Sequence, residues 1–420
     1  MNTLEIVETA ETFATAPPRP LWRNRDYLLL RFGETVSEFG TQASALALPL
    51  LILATTGSPA QAGLMGGLRG AAYLLFGLPA GALVDRWNRR VVMVVSDTIR
   101  AGAMASIPVA LIAGHLTAVH LYAVSFIEGT LFIFFGLAST SGMTRIVAKA
   151  QLPTAVSQGQ AIDAAAGMGG PPLGGILFGV SRMFPFVADA VSYAVSVVTV
   201  LCIRAPLTGE RVVRQQHLGR EIGEGITWMR RQRVVQLLTW VGGGVNLLYG
   251  GYTLLLISLA QRQGAGPTTI GLIFTTGGIG TILGVAMTPW VQRRFTAGQI
   301  MVSIAWLFAI TWPPYAFASN AFTLGLVNAI GFLFVPIYTG THFAYRLMLI
   351  PEPLQSRVNS INRLVTFGSQ AIGFVLMGAL IQWYGPVSTV WIITVPATLL
   401  AVLITLSATL RHAGKIADAA

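Results

Sequence analysis

The sequence predicts an all-α membrane protein of twelve transmembrane helices in two six-helix bundles. Three observations lead there. The 420-residue chain is 54% hydrophobic and 10% charged, with a mean hydropathy of +0.67, whereas a soluble domain carries about 25% charged residues. Apolar runs long enough to cross about 30 Å of hydrocarbon, roughly 20 residues each, recur along the chain. Lys and Arg gather in the breaks on one side of these runs, as the positive-inside bias requires.

Residues 1–20 are acidic and then rich in Ala, Thr and Pro. They lack the basic start and apolar core of a cleavable signal and read as a flexible cytoplasmic tail. The N-terminal bundle, 21–205, holds predicted spans at 28–54, 60–84, 91–113, 118–146, 158–180 and 185–205. A cytoplasmic linker, 206–233, follows; its stretch from Leu218 to Trp228 is amphipathic and is predicted to lie along the membrane surface. The C-terminal bundle, 234–410, holds spans at 234–260, 268–291, 298–318, 320–349, 359–382 and 386–410, and a cytoplasmic tail, 411–420, ends the chain. The Gly and Pro within these runs are normal where neighbouring helices satisfy the freed backbone groups.

With both termini inside, only Arg182 and Arg262 of the 27 Lys and Arg fall outside, while Arg31 and Arg69 lie within spans. The remainder, Arg100, Arg346 and Arg363 included, count with the inside segments. This asymmetry explains the net charge of +11 without nucleic acid, which would need a basic patch on a folded surface. Cys202 is the single cysteine, so no internal disulfide forms. The five histidines, 115, 120, 217, 342 and 412, are scattered, and no metal set or nucleophile–base pair stands out. No cofactor is expected.

The halves resemble each other. A shift of 199 residues brings Ile162 onto Ile361, Gly169 onto Gly368, Gly174 onto Gly373, Leu177 onto Leu376 and Gly179 onto Gly378; a shift of 203 brings Gly77 and Gly81 onto Gly280 and Gly284. A parallel repeat of six spans is a transporter architecture, with the ligand site near the midplane between the repeats.

The strongest local signal is Gly81-Ala-Leu-Val-Asp85-Arg86-Trp-Asn88-Arg89-Arg90, between spans two and three. It resembles the signature loop of the major facilitator superfamily, G-x-L-x-D-R-x-G-R-R. Gly81 permits close helix approach, and one acid among arginines makes a charged latch; an acid also stabilises the positive N-terminus of a helix. The resemblance implies that the latched neighbour is span eleven, near Ser356 and Asn359. Asn88 stands where the family has glycine and tolerates the left-handed conformation. The acid often found at the inner end of span four is replaced by Arg145 and Lys149, with Asp97 a substitute. Gly169-Gly170-Pro171-Pro172-Leu173-Gly174-Gly175 in span five is similar to the G-P-x-x-G-G element of the superfamily's antiporters; its small residues allow close packing and its prolines bend the helix. Pro185-Phe-Val-Ala-Asp189-Ala-Val-Ser-Tyr193 and Leu354-Gln-Ser-Arg-Val-Asn-Ser360 resemble the macrolide-efflux and enterobactin-exporter branch, over nearly the whole chain.

Charged residues within spans are functional candidates by default. Arg31, Glu34, Glu38 and Gln42 form one stripe on span one at helical spacing. Arg31 and Glu34 pair near the inner end, as a simple salt bridge or as part of the coupling. Glu38 lies deeper with no local cation, and Glu128 sits at similar depth in span four. A carboxylate in low dielectric can exchange protons near neutral pH; either could instead hold a cationic substrate, and Glu128 could pair structurally with Arg69. Where many drug–proton antiporters carry an arginine in span four, this chain has Ser125 ahead of Glu128-Gly129, so that coupling scheme does not carry over. Phe39, Gln42, Asn246, Tyr249, Tyr252, Tyr338 and His342 are the expected cavity residues, suited to a lipophilic ligand with a few polar groups.

These readings lead to the expectation of a monomeric, multi-pass transporter in the cytoplasmic membrane, in contact with membrane lipids. It is expected to export lipophilic small molecules such as drugs, antibiotics or siderophore-like compounds, using the proton gradient. A same-fold importer or uniporter, and a non-transporting receptor or scaffold, remain open alternatives.

Overall fold

The computed structural model describes residues 20–77, 79–207 and 218–408; the expected tails, apart from Pro20, and linker residues 208–217 lie outside the described residues. Those residues form α1 (Arg25–Thr56), α2 (Pro59–Phe76), α3 (Pro79–Arg86), α4 (Arg89–Ile112), α5 (Ala118–Ile146), α6 (Leu152–Val180) and α7 (Phe184–Cys202) in the first half. The second half comprises α8 (Leu218–Arg231), α9 (Arg233–Tyr249), α10 (Tyr252–Arg262), α11 (Pro267–Arg294), α12 (Ala297–Thr311), α13 (Pro313–Phe317), α14 (Ala321–Leu349) and α15 (Glu352–Leu406).

The helix ends are written locally. Asn24, Ser58 and Thr117 each accept a backbone N–H at the start of α1, α2 and α5, satisfying a donor the helix leaves unpaired. Gly57 closes α1 at φ 66°, a left-handed conformation that glycine adopts without steric cost. Asn88 does not use the left-handed region expected of it. It is extended, at φ −70° and ψ 113°, and its side chain caps α4 by accepting from the Arg90 N–H.

Among the described residues, nine helices or joined helix runs are long and apolar enough to cross a bilayer, and ten if α2 and α3, which meet at 63°, form one bent span. The run Arg357–Leu406 counts once in that number, although Gly385 leaves helical geometry at φ 77° and Pro386 follows it. α6 is not in that set.

In the first bundle α1 packs on α6 and α7, α4 on α5 and α7, and α2 on α5; in the second, α11 packs on α14, α9 on α15, and α12 on both α14 and α15. Two seams join the bundles, α2 against α15 and α6 against α11. Glycines make both possible. A Cβ on Gly378 would fall 2.5 Å from the Pro59 carbonyl and 2.7 Å from Gly63 Cα; Gly175 meets the Pro267 carbonyl and Gly271 in the same way. Gly373 and Gly170 likewise abut α9 and α1, the first helices of their bundles. The contacts therefore equate Gly175 with Gly378 and Gly170 with Gly373. That is about one helical turn from the Gly174–Gly373 register expected from the sequence, where closely spaced glycines allow several registers.

The seams lie toward the end where α1 finishes and α2 begins, termed here the far end; the opposite, basic end holds Arg25, Arg86, Arg89 and Arg90. The largest apolar core joins both bundles, and its first-bundle members, Leu46, Leu50, Leu51, Ala62, Met65, Met104 and Ile107 among them, belong to the far half. At the basic end Leu21, Tyr27, Leu30, Val84, Met93, Phe135 and Met143 form a cluster confined to the first bundle among the described residues. The bundles are thus closed together at the far end and have separate cores at the basic end.

Candidate functional site: a polar cleft between the bundles

The stripe on α1 begins with Arg31. Its guanidinium holds Glu34 at 2.6 Å, donates to the Ala155 carbonyl of α6 at 2.9 Å, and lies 2.7 Å from the Met143 sulfur. Glu34 also accepts from Ser139 of α5. This pair ties α1, α5 and α6 together near the basic end, so its geometry is that of a salt bridge between helices. Glu38 lies further along. Gln42 donates to it at 2.7 Å, and both residues are half-buried. Phe39 rests against Gly169, and Gln42 and Ala43 against Gly170 and Gly174.

These contacts explain the glycine–proline element of α6. Gly170 and Gly174 let α1 approach, Gly175 faces Gly271 of α11, and a Cβ on Gly271 would fall 2.8 Å from both the Pro171 carbonyl and Pro172 Cα. The element thus packs inside one bundle and across the seam at once. Toward the basic end α6 turns polar and exposes Ser157, Gln158, Gln160 and Asp163. Asp163, which the sequence reading passed over, stands seven residues before Gly170 and four after Gly159, which abuts Arg31. It therefore shares the level of Glu34 and Glu38.

Glu128 is 1% exposed and carries two arginines. Arg69 Nε lies 2.6 Å from one oxygen, and Arg100 lies 2.9 Å from the other. Arg100 also pairs with Asp97 at 3.1 Å, donates to the Tyr193 hydroxyl at 2.7 Å, and stacks 4.1 Å from that ring. Tyr193 in turn is 2.8 Å from Thr41 Oγ1. Asp189 accepts from Ser44 at 2.5 Å. One network thus joins α1, α2, α4, α5 and α7.

This placement corrects the reading of Arg100 as a charge of the inside segments. It sits eleven residues into α4, about 16 Å along the helix, and is fully buried. Asp97 serves Arg100 rather than replacing the missing acid of span four. The signal available in the sequence was a charge pair, Asp97 and Arg100, one helical turn apart inside an apolar run.

In the second bundle several expected cavity residues prove to be packed. Tyr252 bonds to Tyr315 at 2.9 Å and to Asn328. Tyr338 packs against Phe308 and stacks on His342, whose Nε2 is 2.9 Å from the Leu238 carbonyl. Tyr252, Tyr338 and His342 are buried, so they form core rather than an accessible wall. Tyr249 and Asn246 are half-buried. Tyr249 belongs to the same aromatic cluster, and Asn246 returns its amide to the Gly242 carbonyl at 2.9 Å.

The loop at the basic end divides its labour. Arg89 donates to the Leu207 carbonyl at 3.1 Å, and Arg90 to those of Ile203 at 2.6 Å and Ala205 at 3.0 Å, closing the end of α7. Asp85 and Arg86 are exposed, and Asp85 makes no ion pair or hydrogen bond among the described residues. A Cβ on Gly81 would meet nothing within 4 Å. The expected latch onto span eleven is therefore unmade here, and Gly81 is not at a close helix approach. Asn359, its expected partner, accepts from Arg346 at 3.0 Å instead, and Arg357 pairs with Glu224 of α8.

The chain matches, over residues 17–420, the family described as transmembrane secretion effector. It is 24% identical over 392 residues to the multidrug efflux pump Tap of Mycolicibacterium fortuitum, covering 90% of this chain and 94% of that one. It is 25% identical over 369 residues to macrolide efflux protein A of Streptococcus pyogenes, covering 84% and 89%. Among solved structures it is similar to the nucleoside transporter NupG, with a TM-score of 0.72, 15% identity and coverage of 91% and 98%. It is also similar to a bacterial homologue of the iron transporter ferroportin in its inward-facing state, with a TM-score of 0.71, 18% identity and coverage of 92% and 99%.

Proposed function

Since this chain belongs to the transmembrane secretion effector family of the major facilitator superfamily and is a multi-pass membrane transporter, we propose that it exports lipophilic small molecules from the cell in exchange for protons. Its relatives are named for multidrug and macrolide efflux, which supports large amphiphilic substrates. In this reading the basic end faces the cytoplasm, as the charge bias favours, and both termini lie there. The crossings number twelve once the bent pair α2–α3, the helix α6 and the two parts of α15 on either side of Gly385 each count as a span.

The bundles rock against each other, the two seams parting at the far end as the basic end closes, so that the cleft between them alternates its opening. The observation that carries the coupling is Glu38. It stands thirteen residues into α1, half-buried, with Gln42 as its hydrogen-bond donor. Glu128 is instead held on both oxygens by guanidinium groups, which tie it into the buried cluster of the first bundle. Protonation changes the charge of Glu38 and so the relative cost of exposing it to each side, which shifts the balance between the two openings.

The test is Glu38→Gln in proteoliposomes under an imposed pH gradient, with tetraphenylphosphonium as the transported probe. The variant is expected to lose gradient-driven accumulation while its protein level and melting temperature stay at wild-type values. Accumulation that still tracks the gradient in this variant removes Glu38 from the coupling.

A further inference from the structure

Arg363 stands eleven residues into α15, about 16 Å along that helix, and it is exposed. By sequence alone it counts among the inside charges. Its guanidinium lies 5.6 Å from the Tyr73 ring centroid and 5.9 Å from that of Phe367. Those two rings, one from each bundle, are themselves 4.2 Å apart. Among the described residues Arg363 makes no ion pair, and the Tyr73 hydroxyl is within hydrogen-bonding reach of it. Arg69 and Arg100, by contrast, both pair with Glu128, and Arg100 with Asp97 as well.

The level of Arg363 follows from its neighbours. Arg69 and Arg100 meet at Glu128, and Arg100 reaches Thr41 at 3.4 Å. Tyr73 is one turn toward the basic end from Arg69, and Glu38 is nearly one turn toward the basic end from Thr41. Arg363 beside Tyr73 therefore shares the depth of Glu38, on the other bundle. It also lies where the α2–α15 seam stops, since Leu74 still packs on Gly368 and Gly70 on Ala371. A charge at this depth is costly and marks a functional group by default. Here it has aromatic faces for company and, among the described residues, no counter-ion.

We infer that Arg363, framed by Tyr73 and Phe367, is a substrate subsite for an anionic oxygen carried on a flat apolar body. The guanidinium supplies directed donors to a carboxylate or phenolate, while the rings cover the apolar face. Together with Glu38 on the opposite wall, it makes the cleft suited to amphoteric aromatic compounds bearing both an acidic group and a basic amine. This rests on the reading of the cleft as a transport site and narrows its substrate class.

The test uses purified full-length protein and two probes, naphthalene-2-carboxylate and tetraphenylphosphonium. Wild type is expected to bind the carboxylate saturably. Arg363→Gln should weaken that binding roughly tenfold, the size expected for one lost charge-assisted hydrogen bond, and Arg363→Lys should recover part of it. Tyr73→Leu should weaken it and Tyr73→Phe should not. Arg363→Gln should also tighten tetraphenylphosphonium binding by removing a repelling charge, an effect that mere loss of packing does not produce. The inference is overturned if wild type shows no saturable carboxylate binding, if Arg363→Gln binds it within twofold of wild type, or if the variant weakens both probes alike. Counterflow of tetraphenylphosphonium by wild type reports on the export reading separately, so its failure would leave the carboxylate subsite standing.

Discussion

Glu128 divides its two oxygens between Arg69 and Arg100, and both Glu128 and Arg100 are almost completely withdrawn from solvent. Such a group is held by its partners, because removing one member leaves the others charged and uncompensated. Glu128→Gln strands two guanidinium groups, with only Asp97 left to answer Arg100. It is expected to destabilise the protein by about 3–5 kcal/mol, the range for breaking a buried pair. Thermal unfolding of the detergent-solubilised protein should show a clear fall in melting temperature for Glu128→Gln and none for Glu38→Gln. Equal melting temperatures in the two variants would place the cluster outside the structural core of the first bundle. The same residues account for the motif around Asp189 and Tyr193. Tyr193 carries the network from Arg100 to Thr41, and Asp189 anchors α7 on Ser44 of α1, so the motif builds the wall behind the cleft rather than the cleft itself.

At the scale of helices, the two seams depend on positions where no side chain fits. Gly378→Val places carbon where the Pro59 carbonyl and Gly63 Cα now stand. Overpacking of this kind costs about 1–3 kcal/mol, and only the conformation closed at the far end incurs it. The balance is expected to move toward opening there, raising the reactivity of a cysteine at position 58 toward an impermeant maleimide applied from that side. Unchanged reactivity would show that the seam does not gate. The helices and their repeat were legible in the sequence because a bilayer imposes length and apolarity on every crossing. The glycine register was legible only to within a turn, since glycines crowd both α6 and α15. The charges were the part that could not be read. Arg100 and Arg363 each stand eleven residues past the start of a helix, and both resemble loop cations until the helix start is known. Their fates then differ through neighbours distant in sequence, Glu128 and Tyr193 for one, Tyr73 for the other. Tyr252 and Tyr338 failed as cavity residues for a related reason. Helical periodicity gives a face, but whether that face meets the partner bundle or its own depends on packing.

For the whole molecule, the arrangement of apolar cores says which end must move. One core runs through both bundles at the far end, while at the basic end the first bundle keeps a cluster of its own. A rocking motion must therefore divide the shared core, and the cost of exposing its apolar surface has to be recovered by closing the basic end. In the proposed cycle that closure falls to Asp85, exposed and without a partner among the described residues, and to Gly81, which faces open space. If the far end parts in each cycle, holding it shut must stop transport. Ser58 Oγ lies 2.9 Å from Gln382 Oε1 across the α2–α15 seam, and the exposed Cys202 is replaced by serine to leave no competing thiol. In that background Ser58→Cys with Gln382→Cys, joined by a short cleavable thiol cross-linker, is expected to abolish counterflow, and reduction should restore it. Each single cysteine treated with the same reagent should retain flux. Full transport by the cross-linked double variant would mean that the bundles do not separate at this end, and the rocking mechanism would fall with it.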